Sequence, residues 1–196
     1  MLTTGGTISS IPKHTPTSPI DMAKRIKTLQ PPDSMYLTAA EGWLGLGDVN
    51  AANAELDNIT PQLRMHPAVL EVRWQIYAKA KRWDACIETA KTLTKLVPTD
   101  VNNWVHLAYS TRQANDGGLE AAVVILTGTV DKFPKNPLIC YYLACYTAQQ
   151  KELVKSKTWW DKAMDIAIAN GWQQKLRLLA IDDPELEPLI KGIWKE

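Results

Sequence analysis

The stretches TLTKLVPTDVNNWVHLAY, residues 92–109, and GTVDKFPKNPLICYYLACY, residues 128–146, decide the fold. Each contains the end of one apolar-periodic segment, a proline, and the start of the next segment. The two prolines are 36 residues apart, and each is placed to end a helix, because proline lacks a backbone N–H. The apolar and small positions align as well, with Trp104, Leu107 and Ala108 matching Cys140, Leu143 and Ala144.

The same pattern continues upstream and within the second helix of each unit. The first-helix positions are filled upstream by Leu70, Arg73 and Trp74, and before them by Tyr36, Ala39 and Ala40. Each second helix has a small residue about one turn from its start: Ala52, Cys86, Ala122 and Ser156. Four residues later come Leu56, Ala90, Leu126 and Trp160. The sequence therefore predicts four helix–turn–helix units of about 34 residues, at about 33–66, 67–100, 101–136 and 137–169.

This pattern resembles the tetratricopeptide repeat (TPR) family, which has the same period. Four segments carry the resemblance: LGDVNAANAEL (46–56), RWDACIETAKTLTKLVP (82–98), LEAAVVILTGTVDKFP (119–134) and YYLACYTAQQKELVKSKTWWDKA (141–163). The resemblance implies an all-α fold, a right-handed superhelical solenoid of about four tandem repeats with a concave face and a C-terminal capping helix. Two departures are a lengthened turn at 115–118 and Arg73-Trp74, where the family prefers Leu-Gly.

The N-terminal residues lie outside the repeat pattern. Residues 1–20 are rich in Thr, Ser, Gly and Pro, which predicts an irregular tail. Residues 21–32 predict a short helix, because Met22, Ile26 and Leu29 fall on one helix face before Pro31-Pro32 stops it. Whether the tail is ordered is left open.

Residues 170–196 predict a capping helix followed by an acidic segment. Trp172, Leu176 and Leu179 share one helix face, which we expect to cover the last repeat. The acidic segment then offers apolar residues for a last short helix, with Pro184 near its start: Leu186, Leu189, Ile190 and Ile193.

Composition and charge exclude several classes of function. With 45% apolar and 22% charged residues, and 22 Lys plus Arg against 21 Asp plus Glu, the chain is globular and nearly neutral. Nucleic acid and anionic membranes are therefore not expected partners. No apolar run approaches the ~20 residues that span a bilayer. The three cysteines cannot form a complete set of disulfides. A cytoplasmic location is expected.

The sequence offers no catalytic or cofactor-binding pattern. The three histidines, His14, His66 and His106, have no partner motif and are interpreted as surface polar residues. Cys140 and Cys145 are five residues apart on one helix and point to different sides, so a metal pair is not expected. No phosphate-binding loop is present. We therefore expect no enzyme, no metal and no cofactor.

The remaining candidate is a groove on the concave face, which the resemblance assigns to the first helix of each unit. The positions opposite the predicted core are Leu37, Glu41, Glu71, Gln75, Lys79, Val105, Tyr109, Arg112, Tyr141, Cys145 and Gln149. Tyrosines, amides and a few charges suit an extended or helical peptide. The Lys-Asn pair with which some members bind acidic chaperone tails is missing from the matching positions.

The predicted function is thus a non-enzymatic scaffold that binds a protein or peptide, of unknown identity, on its concave face. One alternative is a structural module that self-associates through its exposed ends. Another is an accessory subunit of an enzyme complex, or a hydrolase with an unrecognised site.

Overall fold

The structure is a computed structural model that describes residues 27–181 and 183–193. Over these ranges the regular elements are helical, and ten α-helices follow one another. Their bounds are Asp33–Gly45 (α1), Val49–Asn58 (α2), Pro67–Lys79 (α3), Trp83–Leu96 (α4), Val101–Gln113 (α5), Leu119–Thr127 (α6), Leu138–Gln149 (α7), Leu153–Ala169 (α8), Gln173–Ile181 (α9) and Glu187–Ile193 (α10). Short 3-10 turns, Pro61–Leu63 and Val130–Lys132, lead from α2 to α3 and from α6 to α7.

The first eight helices form four helical hairpins, and α9 follows the last of them. Short connections join α1 to α2, α3 to α4, α5 to α6 and α7 to α8, and each pair packs together. Each later hairpin packs through its first helix against the hairpin before it. These first helices are α3, α5 and α7. The fold is a right-handed, TPR-like helical solenoid with a C-terminal capping helix, which confirms the predicted fold class.

Local side-chain chemistry sets where the helices begin. The Asp48 carboxylate accepts a hydrogen bond from the Ala51 N–H at 2.9 Å and caps α2. Asp100 does the same for α5 through the Asn102 N–H, also at 2.9 Å. Such caps satisfy donors that the first helical turn would leave unpaired.

The small positions predicted in the second helices are the points of closest helix packing. Ala52, Cys86, Ala122 and Ser156 have no exposed surface. The Ser156 hydroxyl donates to the Ala144 carbonyl of the preceding helix at 2.8 Å, and the Cys86 thiol lies 3.7 Å from the Trp74 carbonyl. A side chain can reach the facing backbone only where the two helices approach closely. The four aligned positions are therefore alike in being fully buried, as small residues at a close helix contact are.

Trp74 departs from the alignment, because the matching positions in the other three repeats hold Ala40, Ala108 and Ala144. Its side chain is 8% exposed, and its indole N–H donates to the Ser110 hydroxyl at 2.9 Å. The buried hydroxyl of Ser110 therefore satisfies the only polar atom of the indole. The second repeat accommodates a large ring by packing it against the third repeat.

The described residues before α1 do not continue the helix predicted over residues 21–32. Residues 27–30 have no regular structure, although Leu29 is buried against the first hairpin. The His66 side chain holds this segment by donating from Nε2 to the Lys27 carbonyl at 2.9 Å. The predicted irregular tail, 1–20, and the predicted helical residues Met22 and Ile26 lie outside the described residues.

The capping helix α9 buries only part of the predicted face. Leu176 and Ala180, four residues apart, are buried against the last repeat. Leu176 is thus buried as predicted, whereas Trp172 and Leu179 are 37% and 45% exposed, so the prediction that these two cover the last repeat is wrong. Leu179 and Ala180 both lie about one turn after Leu176, so periodicity alone does not decide which of them faces the last repeat. The smaller Ala180 lets α9 approach that repeat more closely.

Candidate peptide-binding groove

The first helices α1, α3, α5 and α7 carry the eleven residues that the sequence assigned to a groove. Eight of them keep exposed or partly exposed side chains: Leu37, Glu41, Glu71, Gln75, Lys79, Tyr109, Arg112 and Gln149. Val105, Tyr141 and Cys145 are buried. Lys79 is also engaged, because its ammonium group donates to the Leu44 carbonyl at the end of α1 at 2.6 Å.

The half of the groove formed by the third and fourth repeats is occupied by the chain's own segment between α9 and α10, residues 183–186. The Arg112 guanidinium of α5 forms an ion pair with the Glu185 carboxylate. The Gln149 amide of α7 donates to the Glu185 carbonyl at 2.9 Å. The segment is thus bound through its side chain and its backbone, as an extended peptide would be.

Tyr141 and Cys145 lie beneath this segment and are fully buried. The Tyr141 hydroxyl donates to the Asp183 carboxylate and lies 3.3 Å from the Leu179 carbonyl. The Cys145 thiol is 3.8 Å from the same carboxylate. The prediction that these two side chains line an open groove is therefore wrong, because the C-terminal segment covers them.

The second and third repeats leave an open part of the groove, with a volume of about 450 Å³. We call it the aromatic groove. It is lined by Trp74, Asn102, Val105, His106, Tyr109, Tyr142, Asp183, Pro184 and Glu185. Of the predicted groove residues, this pocket brings together Val105 and Tyr109. The size and the mostly apolar lining suit one or two side chains of a peptide.

One wall of the aromatic groove is a stack of rings from α3 and α5. The His106 imidazole stacks on the Trp74 indole, with the ring centroids 3.8 Å apart and an angle of 21° between the planes. Tyr109 packs edge-on against Trp74 and Trp83, at 6.3 Å and 5.9 Å between centroids. These rings hold one another in place, so this wall is preorganised before any ligand arrives.

His106 is a functional candidate, although its sequence context indicates only a surface polar residue without a partner motif. Its Nε2 atom lies 2.9 Å from the Glu71 carboxylate on the neighbouring helix. Burial alone would raise the pKa of Glu71, but the hydrogen bond and electrostatic attraction of His106, together with the hydrogen bond from Gln75, outweigh it and lower the pKa. The sequence does contain one indication of this role. His106 lies three residues before Tyr109 on α5, which places both side chains on one helix face.

The described residues offer little for catalysis by metal or thiol chemistry. Within residues 27–181 and 183–193, no group of three or more His, Cys, Asp or Glu is arranged to hold a metal ion. Burial raises the pKa of the Cys86 thiol to about 11 and also raises that of Cys140, so neither is a ready nucleophile. Among the helices of the described residues, none is long and apolar enough to span a membrane.

Comparison with known proteins supports the fold and goes no further. No protein-family model matches the sequence. No curated protein is similar to it in sequence. Among solved structures, the chain is similar to one titled "MamA RS-1 ArsTM double mutant", with 14% sequence identity and a TM-score of 0.58. The similarity covers 78% of this chain and 87% of that chain, which is a TPR-like helical solenoid.

Proposed function

We propose that this protein is a non-enzymatic helical-repeat scaffold that binds a protein or peptide in the aromatic groove on its concave face. The helical-repeat fold supports an interaction role, since stacked hairpins present an extended concave surface. The proposal includes a cytoplasmic location, which the three unpaired cysteines support.

The observation that carries the proposal is the way the chain binds its own segment 183–186. Arg112 and Gln149, both on the first helices of their repeats, hold the side chain and the backbone carbonyl of Glu185. The surface of these first helices therefore has the chemistry to hold an extended peptide, which supports the proposed groove. The aromatic groove continues from this segment, because Pro184 and Glu185 form part of its lining.

Site-specific photo-crosslinking tests this function. A photoreactive amino acid replaces Gln75, which is exposed on α3, one residue after the groove residue Trp74. The matched control replaces Val124, which is exposed on α6, a second helix that contributes no residue to the groove. We expect a cross-linked partner from Gln75 that is lost when Tyr109 is changed to Ala. Equal capture at both positions, or capture insensitive to Tyr109→Ala, would contradict the proposal.

A second candidate function, self-association, is favoured by the outer face of α9. Terminal helices of solenoids usually present polar residues to solvent. Here Leu178 is 71% exposed and Ile181 is 70% exposed, and both stand at the end of the repeat stack. Light scattering tests this alternative. A mass that rises with concentration, and falls to the monomer value in Leu178→Glu, would support it; a constant monomer mass would exclude it.

A further inference from the structure

The permanently charged groups in the mostly apolar lining of the aromatic groove are acidic. Its lining contains the carboxylates of Asp183 and Glu185 and, among the described residues, no Lys or Arg. Glu71 adds a third carboxylate behind His106, at 2.9 Å from the imidazole. Arg112 balances the charge of Glu185, and His106 pairs with Glu71, which leaves Asp183 as the source of negative potential.

Asp183 is held only by neutral groups. Its carboxylate accepts hydrogen bonds from the Tyr141 hydroxyl and, at 2.8 Å, from the Glu185 N–H, and the Cys145 thiol is 3.8 Å away. Within the described parts of the chain, Asp183 forms no ion pair with Lys, Arg or His. A partly buried carboxylate without a counter-charge attracts a cation, because its own charge is only partly solvated.

Aromatic faces complete a site for such a cation. Tyr142 of α7 and Tyr109 of α5 both line the groove that Asp183 borders. Burial raises the pKa of the Tyr142 hydroxyl, and the nearby acidic groups raise it further, so this ring stays neutral. Neutral tyrosine rings attract a guanidinium or ammonium group through their electron-rich faces, and the attraction grows as water is excluded.

We propose that the aromatic groove binds an arginine or lysine side chain of the partner peptide, with Asp183 as counter-charge and Tyr109 and Tyr142 as stacking faces. This specificity rests on the proposed scaffold function, since it describes what part of a partner the groove takes. A peptide with acidic side chains is the wrong ligand here. Its carboxylates would meet Asp183, and the basic side chain in the described lining, His106, already pairs with Glu71.

The test is a titration with two peptides of the same shape and different charge. One is a fluorescein-labelled decapeptide of alternating Gly and Arg. The other has citrulline, the neutral analogue of arginine, at every Arg position. Binding is followed by fluorescence anisotropy at physiological salt. We expect the Arg peptide to bind about tenfold more tightly than the citrulline peptide, the difference that a desolvated cation site provides.

Two groove variants locate the binding site. Asp183→Asn removes the charge and keeps the acceptor for the Glu185 N–H, and Tyr142→Leu removes the ring. Each should weaken Arg-peptide binding about fivefold. Glu120→Gln, which changes an exposed acid on α6, is the control and should bind as the wild type does. Circular dichroism verifies that each variant remains helical.

The possible results separate this specificity from the scaffold function. Equal or absent binding of the two peptides, or full binding by both groove variants, would overturn the cationic specificity. If cross-linking at Gln75 still captured a partner, the scaffold function would stand alone.

Discussion

At the residue scale, favourable and unfavourable contributions to stability meet around Arg112. Its guanidinium pairs with Glu185 and lies over the Tyr146 ring, 4.8 Å from the centroid. The Tyr146 side chain is fully buried, and its hydroxyl forms no hydrogen bond of normal geometry with any of the described residues. A buried hydroxyl without a partner loses its hydrogen bonds to water and gains nothing in return. The ring contributes packing here while the oxygen opposes burial.

We therefore predict that Tyr146→Phe stabilises the protein by about 1 kcal/mol, because it removes the unpaired oxygen and keeps the ring under Arg112. Chemical denaturation measures the change. Tyr142→Phe is the matched control, since its hydroxyl is partly exposed, and should change the free energy of unfolding little. A loss of stability in Tyr146→Phe would show that Arg112 donates to the hydroxyl.

At the element scale, hairpins could be read from the sequence because their determinants are local. A capping Asp, a turn Gly or Pro and a small residue at a fixed spacing lie within one repeat of each other. The position of segment 183–186 could not be read in this way. Its contacts join Glu185 to Arg112 across 73 residues and Asp183 to Tyr141 across 42 residues. Helical periodicity contains no information about partners so far apart, and it therefore predicts an open surface for Tyr141 and Cys145.

The first prediction at this scale concerns the small, fully buried positions of the second helices. Ala122→Leu should destabilise the fold by roughly 1–3 kcal/mol, because the added methylenes overpack a helix contact without free space. Val124→Leu, on the exposed side of the same helix, is the control and should change stability by less than about 0.5 kcal/mol. Thermal melts that match the wild type for both variants would contradict the role assigned to this buried position.

The second prediction at the element scale concerns the ion pair between α5 and the C-terminal segment. The side chains of Arg112 and Glu185 are 18% and 28% exposed, so the pair lies between surface and core. A double-mutant cycle of Arg112→Ala and Glu185→Ala should give a coupling energy of about 1–2 kcal/mol, between the values for exposed and buried pairs. The exposed pair of Lys157 and Asp161 on α8 is the control and should give about 0.3–0.5 kcal/mol. Equal coupling in the two cycles would mean that the segment is not held by this contact.

At the scale of the whole molecule, the described residues divide their buried apolar side chains among three clusters. One joins the first hairpin to α3 and includes Leu56. A small one in the second repeat contains Trp74, Cys86 and Ala90. The largest joins the third and fourth repeats to the C-terminal helices and includes Leu143. In a solenoid each repeat contacts only its neighbours, so stability is a sum of local and interface contributions. The two ends can therefore open separately, and the groove-bound segment belongs to the larger cluster.

Hydrogen exchange with mass spectrometry should detect this division. Leu56 and Leu143 are both fully buried, and changing either to Ala should cost about 2–5 kcal/mol locally. Leu56→Ala should speed exchange over α1 and α2 and leave α7 protected, because the first cluster does not extend to α7. Leu143→Ala should do the reverse, and it should also release segment 183–186, whose anchors Tyr141 and Gln149 lie on the same helix. If either variant instead accelerated exchange uniformly from α1 to α10, the chain would unfold as one cooperative unit, and the aromatic groove would then have to open and close with the whole molecule.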